Sequence, residues 1–160
     1  MNILFIGEFC TSSFKKKYRR KVESFYRVSE FLIKGFRQIQ NVNLSVITSP
    51  DIASYPRGPL YIKSHYDNND EIKIVSSLNI SFLKQLWTII AMVANAKKII
   101  RKNEGITTVI IPYMVFRHVF ASRLLKILFN KRVKICTIIP DIFFPKKNNL
   151  HNTFIYCVNK

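Results

Sequence analysis

Acidic side chains are scarce in this 160-residue chain: nine Asp and Glu stand against 26 Lys and Arg, for a formal net charge of +17. That balance disfavours cationic partners and favours polyanions, meaning anionic lipid, nucleic acid or phosphorylated ligands. Glycine is scarce too, with four residues, and none of them forms the Gly-rich turn that lets a backbone approach a phosphate. The three cysteines, Cys10, Cys136 and Cys157, are odd in number and lack CxxC spacing. This excludes a disulfide scaffold and a zinc site, and fits buried thiols in a reducing cytosol. No His, Cys or carboxylate pair has metal-ligand spacing, so neither a bound metal nor another cofactor is expected.

Long apolar runs are also missing. The apolar-rich, uncharged stretch Gln85 to Ala96 has twelve residues, short of the roughly 20 needed to cross a bilayer. The apolar opening ends at Ile6, with an acid at Glu8, which does not fit a signal peptide. A soluble or peripheral protein is expected. What is abundant is core material: 48% of residues are hydrophobic, with thirteen Phe and seven Tyr, enough for one folded domain.

The apolar residues change period along the chain. "NILFI" (Asn2 to Ile6) reads as a strand buried on both faces. From Lys21 to about Gln40, Val22, Phe25, Val28, Leu32, Phe36 and Ile39 recur every three or four residues, which predicts a helix. "NLSVIT" (Asn43 to Thr48) is a second strand, stopped by Pro50, and a β–α–β start points to a parallel sheet. Residues 51–70, with Pro56, Gly58 and Pro59, read as a long loop holding a short strand at "LYIK".

Glu71 to Val75 is the third strand, followed by the longest helix, with Asn79 or Ser81 as its cap. Lys97, Lys98, Arg101 and Lys102 fall in its last turns and Gly105 stops it. "TTVIIPY", a helix over Val115 to Asn130, and a fifth strand over Val133 to Asp141 complete the pattern. The order predicts an α/β fold: an open, doubly wound, Rossmann-like parallel sheet of about five strands over residues 1–145, with 146–160 as a tail or linker. Ligands of such sheets bind outside the carboxyl ends of the strands. Here those ends are Gly7–Glu8, Ser49, Ser76–Ser77, Pro112–Tyr113 and Pro140–Asp141.

"MNILFIGEF", "DEIKIVSSLNI" and "VKICTIIPDIFFP", with Pro140, Asp141 and Pro145 at the end of the fifth strand, resemble the N-terminal domain of family-4-like glycosyltransferases. These are the two-domain GT-B enzymes of bacterial capsule, O-antigen and exopolysaccharide assembly, and the likeness covers nearly the whole chain. It implies transfer of a sugar from a nucleotide donor to a lipid-linked glycan acceptor, at the inner face of the cytoplasmic membrane. Two departures bear on that activity. Gly7 stands alone where the family has paired glycines, and the donor-binding half with its Glu-containing motif is absent from these 160 residues. The resemblance therefore implies a protein inactive alone, either truncated or one subunit beside a separate donor-binding partner.

Each candidate residue has a chemical role and a plainer one. Asp141, at a strand end, is a candidate general base for a sugar hydroxyl, or it caps a turn. Glu8 either hydrogen-bonds an acceptor hydroxyl or pairs with a nearby cation. His118, early in the third helix, is either catalytic or structural. The run "FKKKYRRK" (Phe14 to Lys21) places Lys15, Lys16, Lys17, Arg19 and Arg20 among aromatics after the first strand. That mixture suits an acceptor diphosphate or an anionic membrane surface; it is also compatible with a solvated loop. Trp87 and its apolar neighbours either pack on the sheet or dock on a membrane or second domain. A rival reading, a non-catalytic basic α/β module binding nucleic acid, lacks any recognised nucleic-acid motif.

Overall fold

The computed structural model describes residues 1–9, 24–49, 52–68, 71–139 and 154–158. Its centre is β1 (Asn2–Gly7), in which Ile3, Leu4, Phe5 and Ile6 are all fully buried. Burial on both faces explains why this strand is an unbroken apolar run rather than an alternating one. β2 (Asn43–Thr48) and β7 (Thr107–Ile111) flank β1, both parallel to it. β5 (Ile72–Ile74) pairs in parallel with β2, and β8 (Val133–Ile139) with β7.

The sheet is mixed, not purely parallel. β4 (His65–Asp67) runs antiparallel to β5, and β9 (Phe154–Val158) antiparallel to β8. The full order is β4-β5-β2-β1-β7-β8-β9. The loop expected over 51–70 therefore contributes an edge strand, and so does the stretch 146–160. The expected strand at "LYIK" is present as β3 (Tyr61–Ile62), which pairs outside the main sheet with β6 (Ser77–Leu78).

Among the described residues, three α-helices cover the two faces of the sheet. α1 (Ser24–Gln38) lies on the face made by Ile3, Phe5, Val46, Ile72 and Ile110. Its inward line differs from the predicted stripe: Tyr26, Ser29 and Ile33 are fully buried, Leu32 and Phe36 are half-buried, and Ile39 is exposed beyond the helix end. α2 (Ser81–Lys102) and α3 (Phe116–Phe129) share the opposite face, where Leu4, Ile6 and Val109 meet Ile89, Met92, Ala96 and Ile100 of α2 and Ala121 and Leu125 of α3. Each such fully buried Ile or Leu contributes about 1.5–3 kcal/mol, and the alanines let the two helices approach the sheet closely.

The ends of α2 correct one expectation. Its N-cap position is Ile80, with no side-chain cap; the Asn79 amide instead donates to the Ala53 and Pro59 carbonyls at 2.6 and 3.0 Å. At the other end Arg101 and Lys102 occupy the last turn as predicted. Arg132 Nη2 donates to the Ile100 and Asn103 carbonyls at 3.0 and 2.6 Å, satisfying acceptors that a helix end leaves over. Gly105 follows with φ +79°, the left-handed turn that glycine adopts without strain.

Candidate functional site

The chain crosses from β5 back to the far side of β1 to form β7, so the strand order reverses between β1 and β7. Open sheets leave a crevice at the carboxyl ends of the strands at such a point. Gly7 closes β1 there. A Cβ at Gly7 would meet Pro112 Cγ at 2.7 Å and the Phe5 ring at 2.9 Å, so this glycine serves the close packing of Pro112 beyond β7. The next turn is fastened as well. Phe9 N–H donates to Thr48 Oγ1 at 2.8 Å, and the same hydroxyl donates to the Phe9 carbonyl at 2.8 Å.

Glu8 and Arg117 meet across this crevice. Glu8 follows β1, Arg117 lies in the first turn of α3 after β7, and Arg117 Nη2 donates to Glu8 Oε1 in a buried ion pair. Arg117 Nη1 reaches Gln85 Oε1 of α2 at 3.4 Å, so one guanidinium links β1, α2 and α3. Charges removed from water need such multiple partners to offset their desolvation. Arg117 Nε has no hydrogen-bond partner among the described residues.

His118 follows directly. It is fully buried, and neither ring nitrogen has a hydrogen-bond partner among the described residues. Burial, and then the neighbouring Arg117 charge, push its pKa down from 6.5 to about 3, so the imidazole is neutral at physiological pH. Ser49 after β2 and Ser77 after β5 also bury hydroxyls without partners among the described residues. Tyr113, after β7, is half-buried, and that burial raises its hydroxyl pKa to about 12. Among the described residues, Ser49 and Ser77 at two strand ends and His118 in the helix after β7 thus carry polar atoms without hydrogen-bond partners.

Of the residues predicted to form a site, Glu8 and His118 come to this edge, and Glu8 pairs with Arg117, the chain neighbour of His118. Lys15, Lys16, Lys17, Arg19, Arg20 and Asp141 lie outside the described residues. Arg117 and Gln85 were not foreseen. The available signal was positional: "PYMVFRH" places a cation at the start of the helix after β7, beside the end of β1 where Glu8 sits.

A separate groove of about 520 Å³ lies away from this edge, between Ser45, Tyr66 and Lys73 on the strands and Asn95 and Lys98 on the second half of α2. Among the described residues, no group of three His, Cys, Asp or Glu is placed to hold a metal ion, and no helix is long and apolar enough to cross a membrane. Compared with known proteins, the chain matches no family model, no curated protein and no solved structure.

Proposed function

We propose that this chain is the acceptor-side, Rossmann-like half of a GT-B glycosyltransferase for cell-surface polysaccharide, working with a donor-binding half supplied by another domain or subunit. The observation that carries this reading is the Glu8–Arg117 pair at the point where the strand order reverses, which is where doubly wound sheets receive their ligands. The Ser49 and Ser77 hydroxyls and the His118 imidazole, which lack partners among the described residues, suit a ligand rich in hydroxyls.

In this reading a hydroxyl of the lipid-linked acceptor attacks the anomeric carbon of the donor sugar. Its proton passes to a carboxylate or imidazole at the edge, and the nucleotide diphosphate leaves with the donor bond electrons. Of the two candidate bases, His118 with a pKa near 3 accepts a proton weakly, and Asp141 is the stronger choice. Lys15, Lys16, Lys17, Arg19 and Arg20 would hold the acceptor diphosphate by side-chain charge, since Gly7 is occupied by packing against Pro112.

The test is binding of a polyprenyl diphosphate-linked saccharide, in detergent micelles, to the full chain. Saturable binding is expected, weakened roughly tenfold or more when the five basic residues become Ala. Binding no stronger than to empty micelles overturns the proposal. Steeply salt-dependent binding of RNA or DNA with no acceptor binding would favour the nucleic-acid reading in its place.

A further inference from the structure

The α2–α3 layer carries a surface that the sheet does not use. On the outward side of α2 lie Leu86, Trp87 and Ile90; on that of α3 lie Phe116, Phe120 and Ile127. Their exposures run from 41% at Trp87 to 75% at Ile127. On each helix these positions are spaced so that they fall on one stripe opposite the buried residues. The Phe116 and Phe120 rings stack with centroids 5.7 Å apart. Large apolar side chains grouped on a surface in this way mark an interaction site.

The charge on the same two helices says what the partner is. Their sequences hold not one Asp or Glu, and apart from Arg117, which is buried against Glu8, they carry seven Lys and Arg, five in α2 and two in α3. Arg123 is exposed within the α3 stripe, between Phe120 and Ile127. α1, on the other face of the sheet, is ordinary by contrast: Glu30 pairs with Lys34 at 3.0 Å, and Arg37 with Glu71 at 3.6 Å. A second copy docked through the α2–α3 layer would set cations against cations with no carboxylate between them. An anionic lipid surface has the opposite requirement. It takes apolar side chains into the headgroup boundary while long basic side chains reach its phosphates.

We infer that the outward face of α2 and α3 is a docking surface for an anionic lipid bilayer. Both helices begin at the carboxyl edge of the sheet, so docking brings the Glu8–Arg117 crevice close to the headgroups. The inference deepens the acceptor reading, resting on it only for the reason the protein visits a membrane.

The test uses the full chain, vesicles of phosphatidylcholine with or without phosphatidylglycerol, and no acceptor. Trp87 is the only tryptophan, so its emission reports this face directly. A blue shift and co-sedimentation are expected with phosphatidylglycerol vesicles and not with phosphatidylcholine alone. Leu86→Glu/Ile90→Glu, and separately Phe116→Gln/Phe120→Gln, should weaken binding roughly tenfold or more while leaving the far-UV dichroism unchanged. Vesicle binding without a Trp87 shift, or unaffected by both double variants, overturns the inference, because the contact then lies elsewhere. So does concentration-dependent dimerisation that these variants abolish when no vesicle binding occurs. Because no acceptor is present, failure here leaves acceptor binding in micelles intact, and failure of acceptor binding leaves the vesicle result intact.

Discussion

Glu8 and Arg117 stand 109 residues apart in the chain and form one buried ion pair. The two charges are buried together, so removing either takes away an opposite charge that offsets the desolvation of the other. Arg117→Ala and Glu8→Ala should each destabilise the fold by about 3–5 kcal/mol. The double variant should cost less than the sum, because the two residues share one interaction. Urea unfolding midpoints of the four proteins check this; strictly additive losses would show that the pair is not coupled.

His118 makes stability depend on pH in a defined direction. Its folded pKa of about 3 lies below its ordinary 6.5, so between those values the unfolded chain binds a proton that the folded chain does not. The contribution is complete above pH 6.5 and is lost as pH falls toward 3, at a slope of up to about 1.4 kcal/mol per pH unit. His118→Leu should remove that slope, leaving a flatter profile between pH 6.5 and 4. Denaturant titrations of both proteins across that range provide the comparison.

Gly7 has no space for a methyl group. Gly7→Ala should cost about 1–3 kcal/mol by forcing Pro112 and Phe5 apart. Pro112→Ala in the same chain should return part of that loss, since Pro112 supplies the nearest contact. Thermal melts of the single and double variants would reveal the compensation, and an unchanged melt for Gly7→Ala would refute the packing account.

Asn79 holds the loop between β2 and β3. Its amide bonds the Ala53 and Pro59 carbonyls, and its backbone bonds Tyr55 N–H and the Leu60 carbonyl. Asn79→Ala should cost about 1–3 kcal/mol and accelerate proteolytic cleavage within residues 53–60. Limited proteolysis followed by mass spectrometry would locate the cut.

The strands that read well from sequence are the central ones. Asn43–Thr48 is bounded to the residue and β8 is found from its apolar residues, while β1 and β7 are legible because burial on both faces leaves an apolar run with no competing pattern. β4 was not read, since "HYD" is three residues of an edge strand whose pairing depends on β5 and not on its own periodicity. The inward line of α1 was read about one position out, because Tyr26 and Ser29 are buried by tertiary contact although neither is an obvious core residue. The same limit applies at the site. The end of β1 places Glu8 at the carboxyl edge and the periodicity after β7 places His118 early in a helix, but the Glu8–Arg117 contact spans a crossover, which local spacing does not encode.

The double hydrogen bond between Thr48 and Phe9 has a consequence for reach. It fixes the last described residue before the basic run to the end of β2, so whatever follows departs from a known point. Lys15 lies six positions after Phe9, and a fully extended chain covers at most about 3.6 Å per residue. The first lysine of the run is therefore leashed within roughly 20 Å of the Thr48 hydroxyl. From the other side, the start of α1 at Ser24 lies four residues from Arg20, a leash of roughly 14 Å. In the proposed function these cations meet a ligand near the carboxyl edge, and the tether rather than the bulk solution sets the local concentration of the cations there.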